Sequence, residues 1–320
     1  MKKELKLINM ADIAAEQVHW LWHPYIPLGK LTIVQGDPGE GKTTFILALV
    51  ALLTQGNPLP GEKIRSGPVC VIYQTAEDGL ADTIKPRLIA SDADCSKVLV
   101  IDESEQGLTL TDERLGKAII ETGAKVIILD PLQAYLGGGI DMHRANEVRP
   151  ILSRLAIVAE QTGSAIILIG HMNKAQGMKS SYRGLGSIDF RAAARSVLLI
   201  GRTKGNPSLR IAAHDKSSLA PAGKSIAFEI TDGGAVCWKG FCETTVDELL
   251  SGNGMVQTKT MLAEELIKEM LTESTPAVDV YNRAKTLGIC ERTVKAAKSN
   301  LGVIAEKSGK RWVWSLSKTE

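Results

Sequence analysis

A glycine-rich segment near the start of the chain constrains its fold more than any other feature. Residues 36–44 read GDPGEGKTT and match the spacing G-x-x-x-x-G-K-[ST] of a phosphate-binding P-loop. Glycines let the backbone adopt positive φ, so that successive N–H groups can face an anion. We therefore predict that this segment binds the phosphates of a nucleotide. The predicted binding residues are Gly36, Asp37, Pro38, Gly39, Glu40, Gly41, Lys42, Thr43 and Thr44.

The sequence on either side of the motif supports this prediction. LTIVQ before it has the character of a buried strand, and FILALVALL after it predicts a helix. A strand, a glycine loop and a helix in this order distinguish a P-loop from a glycine turn that matches by chance. Lys42 would place its ammonium on the β- and γ-phosphates, and the Thr43 hydroxyl would ligate Mg²⁺. ATP and Mg²⁺ are thus the expected ligands.

The composition indicates a globular protein, and the length of 320 residues suggests about two domains. The net charge of +2 points to no class of partner, although residues 255–320 carry 11 Lys and Arg against 8 Asp and Glu. Five scattered cysteines form no C-x-x-C pair, and the start of the chain has no apolar leader. Apolar runs are no longer than a strand. We therefore expect a cytoplasmic protein with reduced thiols and no membrane contact.

Apolar strands alternate with helices over the first half of the chain. This pattern predicts an α/β fold with a mainly parallel twisted sheet covered by helices on both faces. The predicted strands are 31–35, 69–73, 98–102, 126–131 and 165–171. The predicted helices include 80–90, which is kinked or begins anew at Pro86, 112–122, which is capped near Thr111, and 148–161. From Ser196, closely spaced strands predict an antiparallel extension of the sheet.

The C-terminal part has a different pattern. Residues 243–257 are polar and predict a linker between a domain at 1–242 and a domain at 258–320. In the second domain, the predicted elements are helices at 261–271, 276–288 and 291–301 and a hairpin at 303–316. Three helices followed by a hairpin predict a winged helix-turn-helix. Trp312 and Trp314 share one face of the hairpin, and we expect both in the core of this small domain.

Three polar residues at strand ends complete the predicted ATP site. Asp130 ends an apolar strand and is predicted to hold Mg²⁺, although an Asp-Pro turn alone would also explain it. Because Pro131 follows Asp130, the carboxylate that activates water must come from another strand, and Glu77 is favoured over Asp78, which could instead cap a helix. His171 is predicted to sense the γ-phosphate rather than to be a satisfied strand-end histidine.

Five motifs in order along residues 28–238 resemble those of the RepA-type hexameric helicases of the RecA/DnaB superfamily. The motifs are GDPGEGKTT, YQTAEDG, VIILDP, LIGHMNK and YRGLGSIDFRAAARSVLLI. These helicases accompany plasmids, phages and other mobile elements. The resemblance implies a RecA-like core in a homo-oligomeric ring, with ATP between protomers. It also implies Glu77 as catalytic base, Asp130 as Mg²⁺ ligand, His171 as γ-phosphate sensor, and single-stranded DNA in the central channel.

The resemblance is incomplete at the residue that acts on ATP from the neighbouring protomer. These helicases carry a K-x-R pair at the end of a late strand, and the matching stretch here is AAHDKSSLAPAG. Lys216 occupies the lysine position, but Ser218 stands where arginine is expected. Lys216 is therefore one candidate finger, with a solvated loop lysine as the alternative, and Arg202, Arg210 and Arg195 are the other candidates.

Two basic segments are candidates for DNA contacts. The segment after His171 offers cations and glycines to a DNA backbone, although a solvated loop has the same composition. The third C-terminal helix and the hairpin turn place further cations where a winged helix would meet duplex or forked DNA, unless the module binds protein. The predicted DNA-binding residues are Lys174, Lys179, Arg183, Gly184, Arg292, Lys295, Lys298 and Lys310.

These observations predict an ATP-dependent DNA helicase or translocase that acts in replication of a mobile element, with a primase or replication initiator as candidate partner. A recombination or repair ATPase of the RecA/RadA kind is an alternative, although the K-N-R-F-G signature is missing. A second alternative is an ATP-gated DNA-binding regulator or helicase loader without motor activity.

Overall fold

The computed structural model describes residues 7–64, 67–172, 188–203, 206–251, 258–309 and 311–316. Within these residues, the largest element is a sheet of nine strands, preceded by the short antiparallel pair β1 (Trp20–Trp22) and β2 (Ile26–Pro27). The strands of the large sheet are β3 (Leu31–Gly36), β4 (Val71–Thr75), β5 (Val98–Leu99), β6 (Val126–Asp130), β7 (Ala165–His171), β8 (Ser196–Arg202), β9 (Leu209–Ser217), β10 (Ser225–Ile230) and β11 (Val236–Cys242).

The large sheet is mainly parallel. Its strand order is β11-β10-β9-β8-β3-β7-β6-β4-β5. Strands β8 to β5 in this order are parallel, whereas β9, β10 and β11 are joined to the β8 edge by antiparallel pairing. The α/β fold with a parallel sheet and an antiparallel extension is therefore confirmed.

Helices cover both faces of the sheet. The helices that accompany it are α1 (Lys42–Gln55), α2 (Lys85–Ala90), α3 (Glu113–Thr122), α4 (Ala145–Thr162), α5 (Ile188–Ala193) and α6 (Val246–Ser251). Neighbouring residues of one strand enter different cores: Val34 packs with α1, whereas Ile33 packs with α3 and α4. This double burial explains why the central strands are apolar throughout. None of the helices in the described ranges is both long and apolar enough to cross a membrane.

The end of β5 and the start of α3 differ from the sequence prediction, because at each of them a side chain makes a hydrogen bond to the backbone. The strand expected at 98–102 ends at Leu99, since the Gln74 side chain bonds both the N–H and the carbonyl of Ile101 at 2.6 and 3.2 Å. Helix α3 is capped by Asp112 instead of Thr111, because the Asp112 carboxylate accepts the N–H of Arg114 at 2.9 Å.

The C-terminal unit, residues 258–316, has its own hydrophobic core. It contains α7 (Lys259–Met270), β12 (Thr275–Pro276), α8 (Ala277–Thr286), α9 (Glu291–Asn300), β13 (Ile304–Ser308) and β14 (Arg311–Ser315). The three strands pair antiparallel in the order β12-β14-β13. Trp314 is buried in this core, but Trp312 is 57% exposed, so the expectation that both tryptophans are core residues is wrong for Trp312.

The stretch expected as a linker, 243–257, contains helix α6. Leu249 of this helix is buried against β8, where a Cβ on Gly201 would come within 3.2 Å of it. Part of the stretch therefore packs on the sheet. The division at 242 and 258 stays a prediction.

A buried charge cluster joins the C-terminal unit to the sheet. The ammonium of Lys239 on β11 lies 2.9 Å from the Glu264 carboxylate on α7 and 3.1 Å from the Glu229 carboxylate on β10. Asn300 of α9 donates to the same Glu264 carboxylate at 2.8 Å. Lys239 and Glu264 are both 7% exposed.

Because removing one member of a buried ion pair leaves the other charge uncompensated, we expect Lys239→Met to lower the free energy of unfolding by about 3–5 kcal/mol. Lys30→Met is the matched control. Lys30 pairs with Glu160 at 2.9 Å, but the two side chains are 32% and 69% exposed, so the expected loss is at most about 1 kcal/mol. Urea unfolding of both variants checks this. Equal losses would show that the cluster contributes no more than a surface pair.

His214 is a buried histidine held in its neutral form. Its Nδ1 accepts the N–H of Gly223 at 2.8 Å, so the ring proton resides on Nε2, 3.0 Å from the Ser196 hydroxyl. Burial lowers the pKa of His214 to about 4.

The pKa of His214 is lower in the folded protein than in the unfolded chain. At a pH between these two pKa values, only the unfolded chain binds a proton at His214. Stability should therefore fall as the pH drops from about 6.5 towards 4, by roughly 3 kcal/mol in total. Urea unfolding from pH 7.5 to 4.5 measures the slope, and His214→Gln should remove this contribution. An unchanged slope in the variant would assign the acid sensitivity to other groups.

Candidate active site

The P-loop connects β3 to α1 at the carboxyl end of the sheet. Gly39 and Gly41 have φ of +78° and +91°, as the phosphate-binding conformation requires. Gly36 does not have a positive φ. It is needed for a different reason, because a Cβ there would overlap the carbonyl oxygen of Ile200 on the neighbouring strand β8.

Lys42 folds back onto the loop that precedes it. Its ammonium donates to the carbonyls of Gly36 and Asp37 at 3.0 and 2.9 Å and lies 3.2 Å from Nδ1 of His171. Burial lowers the pKa of Lys42, while the carboxylates around it, led by Asp130, act in the opposite direction. No carboxylate of the described residues pairs directly with this buried cation, for which a phosphate would be a favourable partner.

The residues predicted to hold Mg²⁺ lie together. The Thr43 hydroxyl donates to Oδ2 of Asp130 at 2.7 Å, and the Tyr73 hydroxyl donates to the same oxygen at 2.7 Å. Burial raises the pKa of Asp130, and these two hydrogen bonds lower it. The Thr43 hydroxyl at the start of α1 and the Asp130 carboxylate beside it fit the preference of Mg²⁺ for oxygen ligands.

Tyr73 is a site residue that sequence reasoning missed. It is fully buried on β4, and burial together with the Asp130 carboxylate raises its pKa, so the hydroxyl stays protonated and donates. In the sequence, a tyrosine within VCVIYQ is indistinguishable from a core aromatic residue. Only its place near the carboxyl end of a strand, beside the predicted Asp130 strand, could have indicated it.

Glu77 and His171 face each other across the cleft. Because the Lys42 ammonium can only donate, Nδ1 of His171 accepts and the ring proton resides on Nε2. This nitrogen lies 3.6 Å from the Glu77 carboxylate, whose side chain is 64% exposed. Lys42, His171 and Glu77 therefore form a continuous polar row.

Asp78 is engaged elsewhere. Its carboxylate pairs with Arg87 of α2 at 3.2 Å, and its N–H is 3.2 Å from the Thr75 hydroxyl. Arg87, which sequence reasoning also missed, lies with the P-loop residues around a cleft of about 230 Å³. Ile230 of β10 adds an apolar side chain to this cleft.

Two of the candidate finger arginines lie beside the P-loop of their own chain. Arg202 donates to the carbonyl of Gly39 at 2.6 Å and approaches Glu40 at 3.7 Å. Arg210 is the cross-strand partner of Arg202. The Nε of Arg210 is buried next to Gly41 and has no hydrogen-bond partner among the residues that the structure describes. Burial, followed by the charge of Arg202, lowers the pKa of Arg210.

Lys216 and Arg195 lie at the opposite end of the sheet. Lys216 pairs in register with Val197 at the start of β8, and its ammonium donates to the carbonyls of Arg191, Ala192 and Ala194 at 2.7, 3.3 and 2.8 Å. The backbone of Arg195 bonds Leu31 at the start of β3. The structure therefore does not bring Lys216 together with the other predicted catalytic residues of its own chain.

The predicted DNA-binding residues are only partly described. Lys174, Lys179, Arg183, Gly184 and Lys310 lie outside the described residues. On α9, the guanidinium of Arg292 donates to the Glu62 carbonyl at 3.0 Å and thus faces the sheet domain. Lys295 is exposed near Glu291, and the Lys298 ammonium lies 4.9 Å above the Trp314 ring. The three cations do not share one free face.

Known proteins resemble part of this chain. A family model described as AAA domain matches residues 4–177, more than half of the chain. A stretch of 149 residues is 30% identical to the DNA repair protein RadA of Halalkalibacterium halodurans, and one of 147 residues is 24% identical to that of Pseudomonas aeruginosa. Each stretch is 46% of this chain and 28% of the relative, so the chain spans little more than a quarter of the length of either protein. The KaiC-like protein of Pyrococcus horikoshii OT3 aligns with a TM-score of 0.48 at 16% identity, over 67% of this chain and 90% of that protein.

The effect of the Tyr73 hydroxyl on Mg²⁺ binding can be tested separately from its effect on stability. If it positions Asp130, Tyr73→Phe should weaken the affinity for Mg²⁺ by about 10- to 100-fold, the range for groups that orient a metal ligand. Nucleotide binding without Mg²⁺ should change little, since Lys42 and the loop are untouched. Binding of a fluorescent ATP analogue at increasing Mg²⁺ concentrations measures both.

Tyr25→Phe is the matched control, because it also removes a buried tyrosine hydroxyl. This hydroxyl donates to the backbone carbonyl of Lys224 at 2.7 Å. Both variants should lose similar stability, but only Tyr73→Phe should change the Mg²⁺ dependence. The same Mg²⁺ dependence in both variants would contradict the positioning role.

Proposed function

The chain belongs to the AAA domain family, and from this premise we propose that it is a Mg²⁺-dependent ATPase that moves along or unwinds DNA as a ring. The observation that carries the proposal is the convergence of Lys42, Thr43, Asp130, His171 and Glu77 at one edge of the sheet. These residues are the groups that phosphoryl transfer to water requires: a cation for the phosphates, ligands for Mg²⁺ and a carboxylate for water.

Each group in the cleft has a distinct task in this proposal. Thr43 and Asp130 would hold Mg²⁺, which would neutralise charge on the phosphate oxygens. Lys42 would exchange its carbonyl contacts for the β- and γ-phosphates. Glu77 would take the proton of the attacking water, since its carboxylate is exposed in the cleft while Asp78 is paired with Arg87.

His171 would sense the γ-phosphate. It contacts both the P-loop lysine and the proposed base, and it ends β7 just before residues 173–187. A change in its contacts on hydrolysis would thus be passed directly to the segment that carries Lys174, Lys179 and Arg183. We propose that this segment holds single-stranded DNA in the centre of a ring, a hexamer as in RepA-type helicases.

A finger from the neighbouring protomer completes the proposed site. Lys216 is a candidate that would have to exchange three carbonyl contacts for a phosphate, which makes it a costly donor. Arg202 and Arg210 already lie at the P-loop of their own chain, where they could stabilise the transition state without a partner.

We also propose that the C-terminal unit is a winged helix-turn-helix that binds duplex or forked DNA. Its element order, with α8 and α9 followed by the β13–β14 hairpin, supports this, as does the basic excess of this region. On α9 and the hairpin, the described cations that could meet phosphates are Lys295, Lys298, Lys307 and Arg311, beside the predicted Lys310, because Arg292 is bonded to the sheet domain.

Two other functions compete with a replicative helicase of a mobile element. The similarity to proteins named DNA repair protein RadA is the observation behind the alternative of a recombination or repair ATPase. Ser218, at the position where the RepA-type helicases carry arginine, favours an ATP-gated regulator or loader, since such a protein needs no finger. A primase or replication initiator would be a partner only of the helicase.

The catalytic assignment is tested by two neighbouring carboxylates. We expect Glu77→Gln to bind ATP with unchanged affinity but to hydrolyse it about 10²- to 10⁴-fold more slowly, because a general base is lost. Asp78→Asn is the matched control and should keep most of the turnover. Steady-state phosphate release measures both. Loss of turnover in Asp78→Asn alone would transfer the role to Asp78.

Forked-duplex unwinding then separates the three functions. Unwinding that disappears in Lys42→Ala supports the motor. Strand exchange without unwinding supports the recombination ATPase, and slow turnover that DNA does not stimulate supports the regulator. Sedimentation with ATP and DNA should show a ring, and a monomer under these conditions would refute the shared site.

A further inference from the structure

The β13–β14 hairpin of the C-terminal unit carries an exposed tryptophan, Trp312, that is not part of the hydrophobic core of the unit. Trp314 and Trp312 point to the same face of β14, because side chains two residues apart share a face. Trp314 is 3% exposed and packs 5.2 Å from the ring of Tyr281, whereas Trp312 is 57% exposed. Trp312 thus extends the aromatic face beyond the edge of the core.

Two lysines lie along the same aromatic face. The cross-strand partner of Trp312 is Lys307, whereas Arg311 pairs with Ser308 on the opposite face of the hairpin. The Lys298 ammonium of α9 lies above the adjacent Trp314 ring at 4.9 Å. One strip of surface therefore combines an open aromatic face with positive charge from two elements.

The composition of this strip favours nucleic acid over a protein partner. A protein interface would need further exposed apolar side chains beside Trp312. The exposed Ile304 lies on the opposite face of the hairpin, where its cross-strand partner is Ser315. The acidic residue of the wing, Glu306, also pairs on that opposite face, with Val313. Positive charge around a single aromatic ring is the combination that binds a phosphate backbone and stacks on a base.

We propose that Trp312 stacks on the exposed base at the point where duplex DNA opens into single strands, while Lys307 and Lys298 hold the phosphates. Bases inside a duplex are already stacked on both faces, so a tryptophan on a hairpin reaches a free base face only at a junction or an end. This inference rests on the proposed DNA binding of the C-terminal unit and specifies the DNA structure that it recognises.

Three DNA probes of equal duplex length test the proposal with the full chain: a forked duplex, a dumbbell duplex closed by loops at both ends, and a single strand. We expect Trp312→Ala to weaken fork binding by roughly 5- to 150-fold, the range for loss of one stacked base, and to leave binding to the dumbbell within about twofold. Trp312→Phe should retain most of the fork affinity.

Lys307→Ala is the matched control for charge. It should weaken binding to the fork and the dumbbell alike and reduce the salt dependence of both by about one phosphate contact. A 2-aminopurine at the junction gives a direct readout of stacking. Its fluorescence should be quenched by the wild-type chain and by Trp312→Phe, but not by Trp312→Ala.

The outcomes separate this inference from the function on which it rests. If Trp312→Ala binds the fork as well as the wild type while Lys307→Ala does not, the stacking proposal is wrong and DNA binding by the unit stands. If the wild type binds neither fork nor dumbbell, both proposals fail. If Trp312→Ala changes only the sedimentation of the oligomer, Trp312 is a contact between copies of the chain and the proposal is overturned.

Discussion

The contact between Thr43 and Asp130 ties the first residues of α1 to a strand that is not adjacent to β3 in the sheet. Strand β7 lies between β3 and β6, so this contact fixes the P-loop across three strands. A buried carboxylate is costly unless hydrogen bonds satisfy it. Tyr73 from β4 supplies the second bond, which brings a fourth strand into the arrangement. Because the four strands are parallel, their carboxyl ends meet at one edge, and the polar groups of the cleft collect there.

The elements that follow from local pattern were predicted well, and those that depend on a distant side chain were not. The P-loop and the buried strands are encoded by neighbouring residues. The early end of β5 depends on Gln74, which lies 27 residues before Ile101. Likewise, Gly36 looks like a turn glycine in the sequence, but the close approach of Ile200 on β8 is what excludes a side chain there. The role of Tyr73 was hidden for the same reason, because its partner is 57 residues away.

The late strands show why candidate arginines and lysines could not be sorted from sequence alone. Strand β9 runs antiparallel to β8, so its first residues lie at the P-loop edge and its last residues at the far edge. Arg210 and Lys216 are only six residues apart, but they occupy opposite ends of the sheet for this reason. A motif match aligns residues along the chain and contains no information on strand direction. The structure therefore separates candidates that looked equivalent.

The C-terminal unit is joined to the large sheet through groups that also belong to the helices of the unit. Glu264 of α7 is bonded by Lys239 of the sheet and by Asn300 of α9, so the same carboxylate orients two helices of the unit relative to β11. Arg292 adds a contact to Glu62, in the loop that follows α1. Since α1 begins at Lys42, one helix connects the phosphate end of the cleft to the loop that contacts α9. Arg292 and Asn300 are thus directed at the sheet, whereas the Lys295 side chain of the same helix remains exposed and can meet a charged ligand.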